Sequence, residues 1–200
     1  MINQKKLQSE YPDLDKYINE NEDIIYYKKD TLIKHNPYGP AYFNKDGFIA
    51  YYIDGKFHRV DGPAVIHLHN SEEWWLNGKK HRIGGPAVTF HNGTKEWWVN
   101  NKRHRLDGPA IIKHDGTKEY YVDNIQHRLD GPAFISRYGK KEWWINNRLI
   151  SCNQNDFYLR LKDFTNKNNQ PQNKIDILSI KNAIQNNIDN TSLSLLKSLL

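Results

Sequence analysis

The chain predicts a mainly β protein: an elongated, single antiparallel β-meander or solenoid of five 23-residue hairpin repeats, with α-helical segments at its N- and C-terminal ends. Three observations carry that prediction. First, His35, His58, His81, His104 and His127 stand 23 residues apart, as do Pro40, Pro63, Pro86, Pro109 and Pro132. An interval held without insertion over five units marks one supersecondary module stacked on its neighbours. Second, each period holds two tight-turn signals. One slot carries Asp46-Gly47, His69-Asn70, Asn92-Gly93, Asp115-Gly116 and Tyr138-Gly139; the other carries Asp54-Gly55, Asn77-Gly78, Asn100-Asn101, Asp123-Asn124 and Asn146-Asn147. Two such turns per period demand antiparallel hairpins and leave no room for a helix. Third, an aromatic pair recurs in every unit, as Tyr51-Tyr52, Trp74-Trp75, Trp97-Trp98, Tyr120-Tyr121 and Trp143-Trp144.

The elements follow in chain order. Residues 1–25 read as an N-terminal helical cap, with Pro12 at a first helical position and Leu14, Tyr17 and Ile18 on one face. Residues 26–150 are the repeat array. At Asn92-Gly93 the expected turn is type I′, which needs positive φ at both positions. Alternation along Glu96-Trp97-Trp98-Val99 puts Trp97 and Val99 on one face and Glu96 and Trp98 on the other. The first aromatic of each pair is expected to stack into a ladder inside the sheet. The second faces outward or packs over the Pro-Ala segment of an adjoining unit. Two strands per unit give a body about 50 Å long. Residues 151–200 read as a C-terminal linker and helices: a polar stretch from Thr165 to Lys174, a helical pattern through Ile175, Ile177, Leu178, Ile180, Ala183 and Ile184, and a last helix capped by Thr191 and carrying Leu193 to Leu200. Helical ends cover the apolar edges that terminal repeats would expose.

Composition excludes several classes. Hydrophobic residues make up 38% of the 200 and aromatics 12%, which suits thin layers filled by wide rings rather than a thick core. The single cysteine, Cys152, permits no intramolecular disulfide and no Cys-rich zinc site, and fits a reducing compartment. No apolar run follows the charges of the N-terminus, and no window approaches a membrane span, so the expectation is a soluble protein of the cytoplasm. The net charge is +6, but 23 acidic residues are interleaved with 29 basic ones, the pattern of a solvated face more than of a nucleic-acid track.

The His-Arg-x-Asp cluster is the natural candidate for chemistry, since His beside Asp resembles half of an acid–base pair and Arg forks onto carboxylates. A catalytic constellation is made once; this one recurs at His58, Arg59 and Asp61, at His104, Arg105 and Asp107, and at His127, Arg128 and Asp130, with Gly84 in place of Asp after His81 and Arg82. Copies in every rung predict a structural device, with Asp bonded in a turn, Arg paired to it or to a neighbouring rung, and His bonded to the next hairpin. Gly allows the bend, Pro fixes φ, and Ala fits where a neighbouring ring lies close. No catalytic residue, metal site or cofactor is expected: His67, His69, His91 and His114 lack the converging ligands that zinc requires.

The unit from Trp74 to Ala87, Trp-Trp-x-Asn-Gly-Lys-x-His-Arg-x-x-Gly-Pro-Ala, resembles the His-Arg-Asp-Gly-Pro-Ala repeats of uncharacterised bacteriophage and giant-virus proteins. More distantly it is similar to MORN repeats, which are also stacked β-hairpins. The resemblance covers roughly residues 35–150. This sequence departs from the MORN pattern by inserting Arg-x-Asp and Pro-Ala and by its 23-residue period. The resemblance implies an interaction scaffold; MORN-like proteins are linked with protein assembly, with membrane-lipid proximity and, in some bacterial relatives, with an antitoxin role. The expected function is therefore a non-enzymatic protein-interaction scaffold of viral or phage type, binding a host or viral protein through one face of the sheet.

The residues expected to make that contact are the outer aromatics Trp75, Trp98, Tyr121 and Trp144, with Lys79 and Arg103 beside them, because Trp near Arg is a common hot-spot composition. Two alternatives stay open: an antitoxin or immunity-type inhibitor of a toxin or defence enzyme, and a salt-sensitive binder of nucleic acid or anionic lipid using Lys79, Lys80, Lys102, Arg103 and Arg105. The Leu193 to Leu200 segment either caps the array or pairs with a partner, including a second copy.

Overall fold

The structure is a computed structural model and describes residues 4–150 and 156–157. Its body is one long, open antiparallel meander of 14 strands, flanked by four separate two-stranded hairpins. Among the described residues no helix is long and apolar enough to cross a membrane.

The N-terminal segment is the first correction to the sequence reading. In place of a helix it forms β1 (Gln4–Leu7), β2 (Leu14–Asn19) and β3 (Ile24–Lys28), an antiparallel meander with Tyr17 opposite Ile25 and Leu14 opposite Lys28. The array supplies the reason. Its first strand, Tyr42–Phe43, has an open edge, and β3 pairs with it through Ile24–Phe43 and Ile25–Tyr42. A helix satisfies its backbone internally and leaves such an edge unpaired, whereas a strand completes it. The β-branched and aromatic run Ile24-Ile25-Tyr26-Tyr27 favours the same outcome. Pro12 lies in the β1–β2 turn, where Leu14 N–H reaches the Tyr11 carbonyl at 3.3 Å. The predicted C-terminal helices lie outside the described residues, and of the whole 151–200 segment only Asp156 and Phe157 are described. Phe157 is 1% exposed and sets its ring 6.2 Å from that of Trp143, covering the last rung.

Each inner unit gives two short strands to the main sheet and one hairpin beside it. Val88–Thr89 lies between Glu72–Glu73 and Lys95–Glu96, with Val88 opposite both Glu73 and Glu96. The hairpins, such as Trp98–Val99 with Lys102–Arg103, stack on one another through their own ladder. Arg59, Arg82, Arg105 and Arg128 each donate a backbone N–H to the carbonyl of Trp75, Trp98, Tyr121 and Trp144 respectively, at 3.1 Å. In the last unit the two parts merge, and Lys141–Ile145 runs unbroken from the sheet into a pairing with Arg148–Ile150.

The two turn slots differ in kind, except that His69-Asn70 of the first slot also has both φ values positive, at 66° and 61°. In the second slot both central residues have positive φ in every unit, from Asp54 (46°) and Gly55 (73°) to Asn146 (50°) and Asn147 (60°), so this is the type I′ position. At Asn92-Gly93 the expected type I′ turn is not found: only Gly93 is left-handed, at 86°, with its N–H on the Phe90 carbonyl and Phe90 N–H on Thr94. That is a three-residue loop closed by a bulged glycine, the alternative solution for a slightly longer hairpin. The core is correspondingly thin. Ala41, Ala64, Ala87, Ala110 and Ala133, one per unit, are all 0% exposed.

A structural ladder and an exposed aliphatic edge

The His-Arg-x-Asp-Gly-Pro-Ala motif closes on itself. The guanidinium of Arg105 lies 4.1 Å above the ring of Trp97, its Nε donates to Asp107 at 2.9 Å, and its Nη1 donates to the Pro109 carbonyl at 3.3 Å. Arg59 repeats this on Tyr51, Asp61 and Pro63, and Arg128 on Tyr120, Asp130 and Pro132. Where Gly84 replaces Asp, Arg82 keeps its stack on Trp74 at 3.8 Å and its bond to Pro86 at 3.1 Å. The glycine is required by space and not by φ: a Cβ at Gly62 would stand 2.7 Å from Arg59 Cζ, and one at Gly108 would stand 3.0 Å from Arg105 Cζ. In the divergent first unit Asn36, 5% exposed, takes the place of Arg and donates to the Pro40 carbonyl at 2.9 Å.

The histidine of each motif turns away from its Asp and toward the next rung. Backbone N–H groups of Asp54, Asn77, Asn100 and Asn146 donate to Nδ1 of His35, His58, His81 and His127, at 3.0, 3.2, 3.4 and 3.3 Å. The side chain of the same turn residue also faces Nδ1, with Asn77 Oδ1 2.8 Å from His58 and Asp54 Oδ1 3.3 Å from His35, so either tautomer finds its partner on the next rung. His104 instead sets Nδ1 3.2 Å from the Asp123 carboxylate. Within one motif, then, His and Asp serve different partners, and the cluster works as an inter-rung clasp. Arg105 and Arg59, first among the causes, hold the Asp107 and Asp61 carboxyls below the usual carboxylate range.

The outer aromatics are also engaged. Trp75, Trp98 and Trp144 are half-buried, and each indole N–H donates to the glutamate two residues earlier: Glu73 at 2.9 Å, Glu96 at 2.8 Å and Glu142 at 3.0 Å. Tyr121 gives its hydroxyl to Glu119 at 3.1 Å. Between successive rings stands a residue from the second strand of the preceding ring's own hairpin. Phe57 lies 4.5 Å from Tyr52 and 5.3 Å from Trp75. Lys80 lies 5.3 Å from Trp75 and 5.6 Å from Trp98; Arg103 lies 4.8 Å from Trp98 and 5.9 Å from Tyr121. From Tyr52 to Tyr121 the ladder is thus built by the second member of each pair, interleaved with Phe57, Lys80 and Arg103, while the first member seats the motif arginine. Cation–π contacts of this kind contribute about 0.5–2 kcal/mol each. Burial raises the Glu73 carboxyl, yet Lys80, His67 and the Trp75 indole outweigh it and keep that group below its ordinary value.

Of the residues expected at a contact surface, Trp75, Trp98, Tyr121, Trp144 and Arg103 therefore belong to the ladder. Lys79 stays exposed on its hairpin, in a row with Lys56 and Lys102. Lys80 and Arg105 of the electrostatic alternative are ion-paired with Glu73 and Asp107. Among the described residues no group of three His, Cys, Asp or Glu side chains converges in a way that could hold a metal.

What remains open is the position between Arg and Asp of the motif. It is aliphatic in every unit after the first, and Val60, Ile83 and Leu106 are 75%, 76% and 79% exposed. Leu129, the next in the row, is half-buried and borders a groove of about 720 Å³ between the motif loops of Arg105 and Arg128. Sequence reasoning missed this row because it treated the position as variable filler; the signal was that the filler is Val, Ile, Leu and Leu. The chain matches no protein-family model and no curated protein.

Proposed function

We propose that this chain is a non-enzymatic binding scaffold whose contact surface is the aliphatic edge of its motif loops. One observation carries the reading. The named residues of the repeated motif are engaged within their own loop or with the next rung, whereas Val60, Ile83 and Leu106 stand more than 70% exposed at the same place in successive units. A row of apolar side chains rimmed by polar groups is the composition of a protein contact surface. The likeness of the repeats to viral and MORN-type scaffolds supports the same reading and suggests a host or viral protein as the target.

A second reading has one observation behind it. Lys56, Lys79 and Lys102 on the hairpins, and Lys95, Lys118 and Lys141 on the sheet, form exposed rows that would suit an anionic polymer. Affinity capture from lysate separates the two, using the wild type and an Ile83→Ser/Leu106→Ser variant, each washed at low and high salt. A stoichiometric protein, kept at high salt and lost in the variant, is the expected result. Nucleic acid released by salt from both proteins would overturn the scaffold reading, because counterion-driven binding falls steeply with salt.

A further inference from the structure

The fourth unit breaks the pattern of the others at one place. After its type I′ turn it carries Ile125, where the remaining units carry Lys56, Lys79, Lys102 and Arg148. Ile125 is 37% exposed and lines the groove together with Leu106, Leu129 and Val122. The substitution thus removes a cation from the one inter-rung groove described above and makes its wall apolar.

The rim has the opposite character. Asp107 and Asp130 stand there with side chains 82% and 75% exposed, while the arginines bonded to them, Arg105 and Arg128, are only 21% and 22% exposed. Those guanidiniums face inward, over Trp97 and Tyr120 and onto proline carbonyls. The mouth of the groove therefore presents carboxylate, on a chain whose net charge is +6. A basic ligand is complementary to such a rim.

Spacing narrows the ligand further. Two strands per unit set the aliphatic positions about 9.6 Å apart along the row. A polyproline II segment returns to the same face after three residues, about 9.3 Å. An α-helix does so after seven, about 10.5 Å, and drifts by nearly an ångström per rung. A β-strand repeats on one face at about 6.7 Å and falls out of step at once.

We infer that the groove and the row of Val60, Ile83, Leu106 and Leu129 take an extended basic peptide segment in the polyproline II conformation, with an apolar side chain at every third residue. The inference rests on the scaffold reading and names the partner for its surface. The apolar side chains enter the gaps between rungs, the deepest beside Ile125, and the intervening basic residues face the aspartates.

The test uses the intact chain and fluorescent peptides read by anisotropy: four repeats of Leu-Pro-Lys, four repeats of Leu-Pro-Glu, and a peptide of the first composition with its leucines in shuffled spacing. The Leu-Pro-Lys peptide is expected to bind at least about tenfold more tightly than either of the others. Ile125→Lys restores the residue type of the other units and so keeps the fold, which its thermal midpoint checks; it is expected to weaken that peptide about tenfold. No binding of the Leu-Pro-Lys peptide, equal binding of the shuffled or acidic peptide, or an unchanged affinity in Ile125→Lys would overturn the inference. If lysate capture still depends on Ile83 and Leu106 while the peptides fail, the scaffold reading stands and this partner class falls.

Discussion

The outer aromatic ladder and the aliphatic edge recur with the same 23-residue period, yet they recur for different reasons. In the ladder each residue is placed by the next: Lys80 lies between Trp75 and Trp98, and both indoles are tied to glutamates. A change in one rung is felt in two. At the edge, Ile83 and Leu106 are 76% and 79% exposed and take no part in the core. Repetition there is not demanded by packing. The contrast separates what repeats because the rungs must fit from what repeats although the fold does not require it.

The largest expected effect tests the first half of that contrast. Ala87 is 0% exposed, with its carbonyl taking Trp74 N–H at 2.7 Å and its own N–H on the Glu96 carbonyl at 2.8 Å. A larger side chain there must push a neighbouring strand aside. Ala87→Leu is expected to lower the unfolding free energy by about 1–3 kcal/mol, the usual cost of overpacking. Equilibrium denaturation checks it. A change within experimental error would mean that the rungs can separate at that point, and that the thin core is looser than its geometry says.

A smaller effect should follow from pH. Arg105 and Arg59 hold Asp107 and Asp61 below the ordinary carboxylate range, and Lys140, ahead of the Trp144 indole, does the same for Glu142. A carboxyl whose folded pKa is depressed binds its proton less readily than in the unfolded chain. Its contribution is present above the unfolded value, about 4, and is lost as pH falls through the folded one. The thermal midpoint is therefore expected to drop between about pH 5 and pH 2, and Asp107→Asn should flatten that dependence. Because Asp107 is exposed, solvent screens its pair with Arg105 and the difference should be modest. An Asp107→Asn profile as steep as the wild type would show that the clasp rests on the Trp97 stack and the Pro109 carbonyl alone.

Much of this architecture was legible in the sequence, because period, turns and hairpins are local. Two left-handed residues at Asn100-Asn101 and a proline every 23 residues announce themselves. What was not legible depended on partners distant along the chain. Leu14, Tyr17 and Ile18 fit a helix as well as a strand, and only the unpaired edge at Tyr42–Phe43 decides between them. The half-burial of Trp75 and Trp98 was not legible for a similar reason. Alternation tells which side a ring takes, but not that Lys80, across the hairpin from Trp75, will fill the space between it and Trp98. Likewise the glycine of the motif looked like a bend, and only the position of the arginine shows that it is a gap left for a guanidinium.

The smallest expected effect on stability sharpens the comparison most. Leu106→Ser removes an apolar side chain that is 79% exposed, in a loop whose backbone is held by Arg105 N–H on the Tyr121 carbonyl and by the Arg105 bonds to Asp107 and Pro109. Little apolar surface is buried there to lose, so denaturation should move by less than about 0.5 kcal/mol, as at ordinary surface positions. If the variant were instead destabilised as much as Ala87→Leu, Leu106 would be part of the packing, and its recurrence would need no partner to explain it. A stable Leu106→Ser protein that no longer captures its target would place the two properties on different residues of one seven-residue motif: cohesion of the loop and its rungs on His, Arg, Asp, Gly, Pro and Ala, and recognition on the side chain between Arg and Asp.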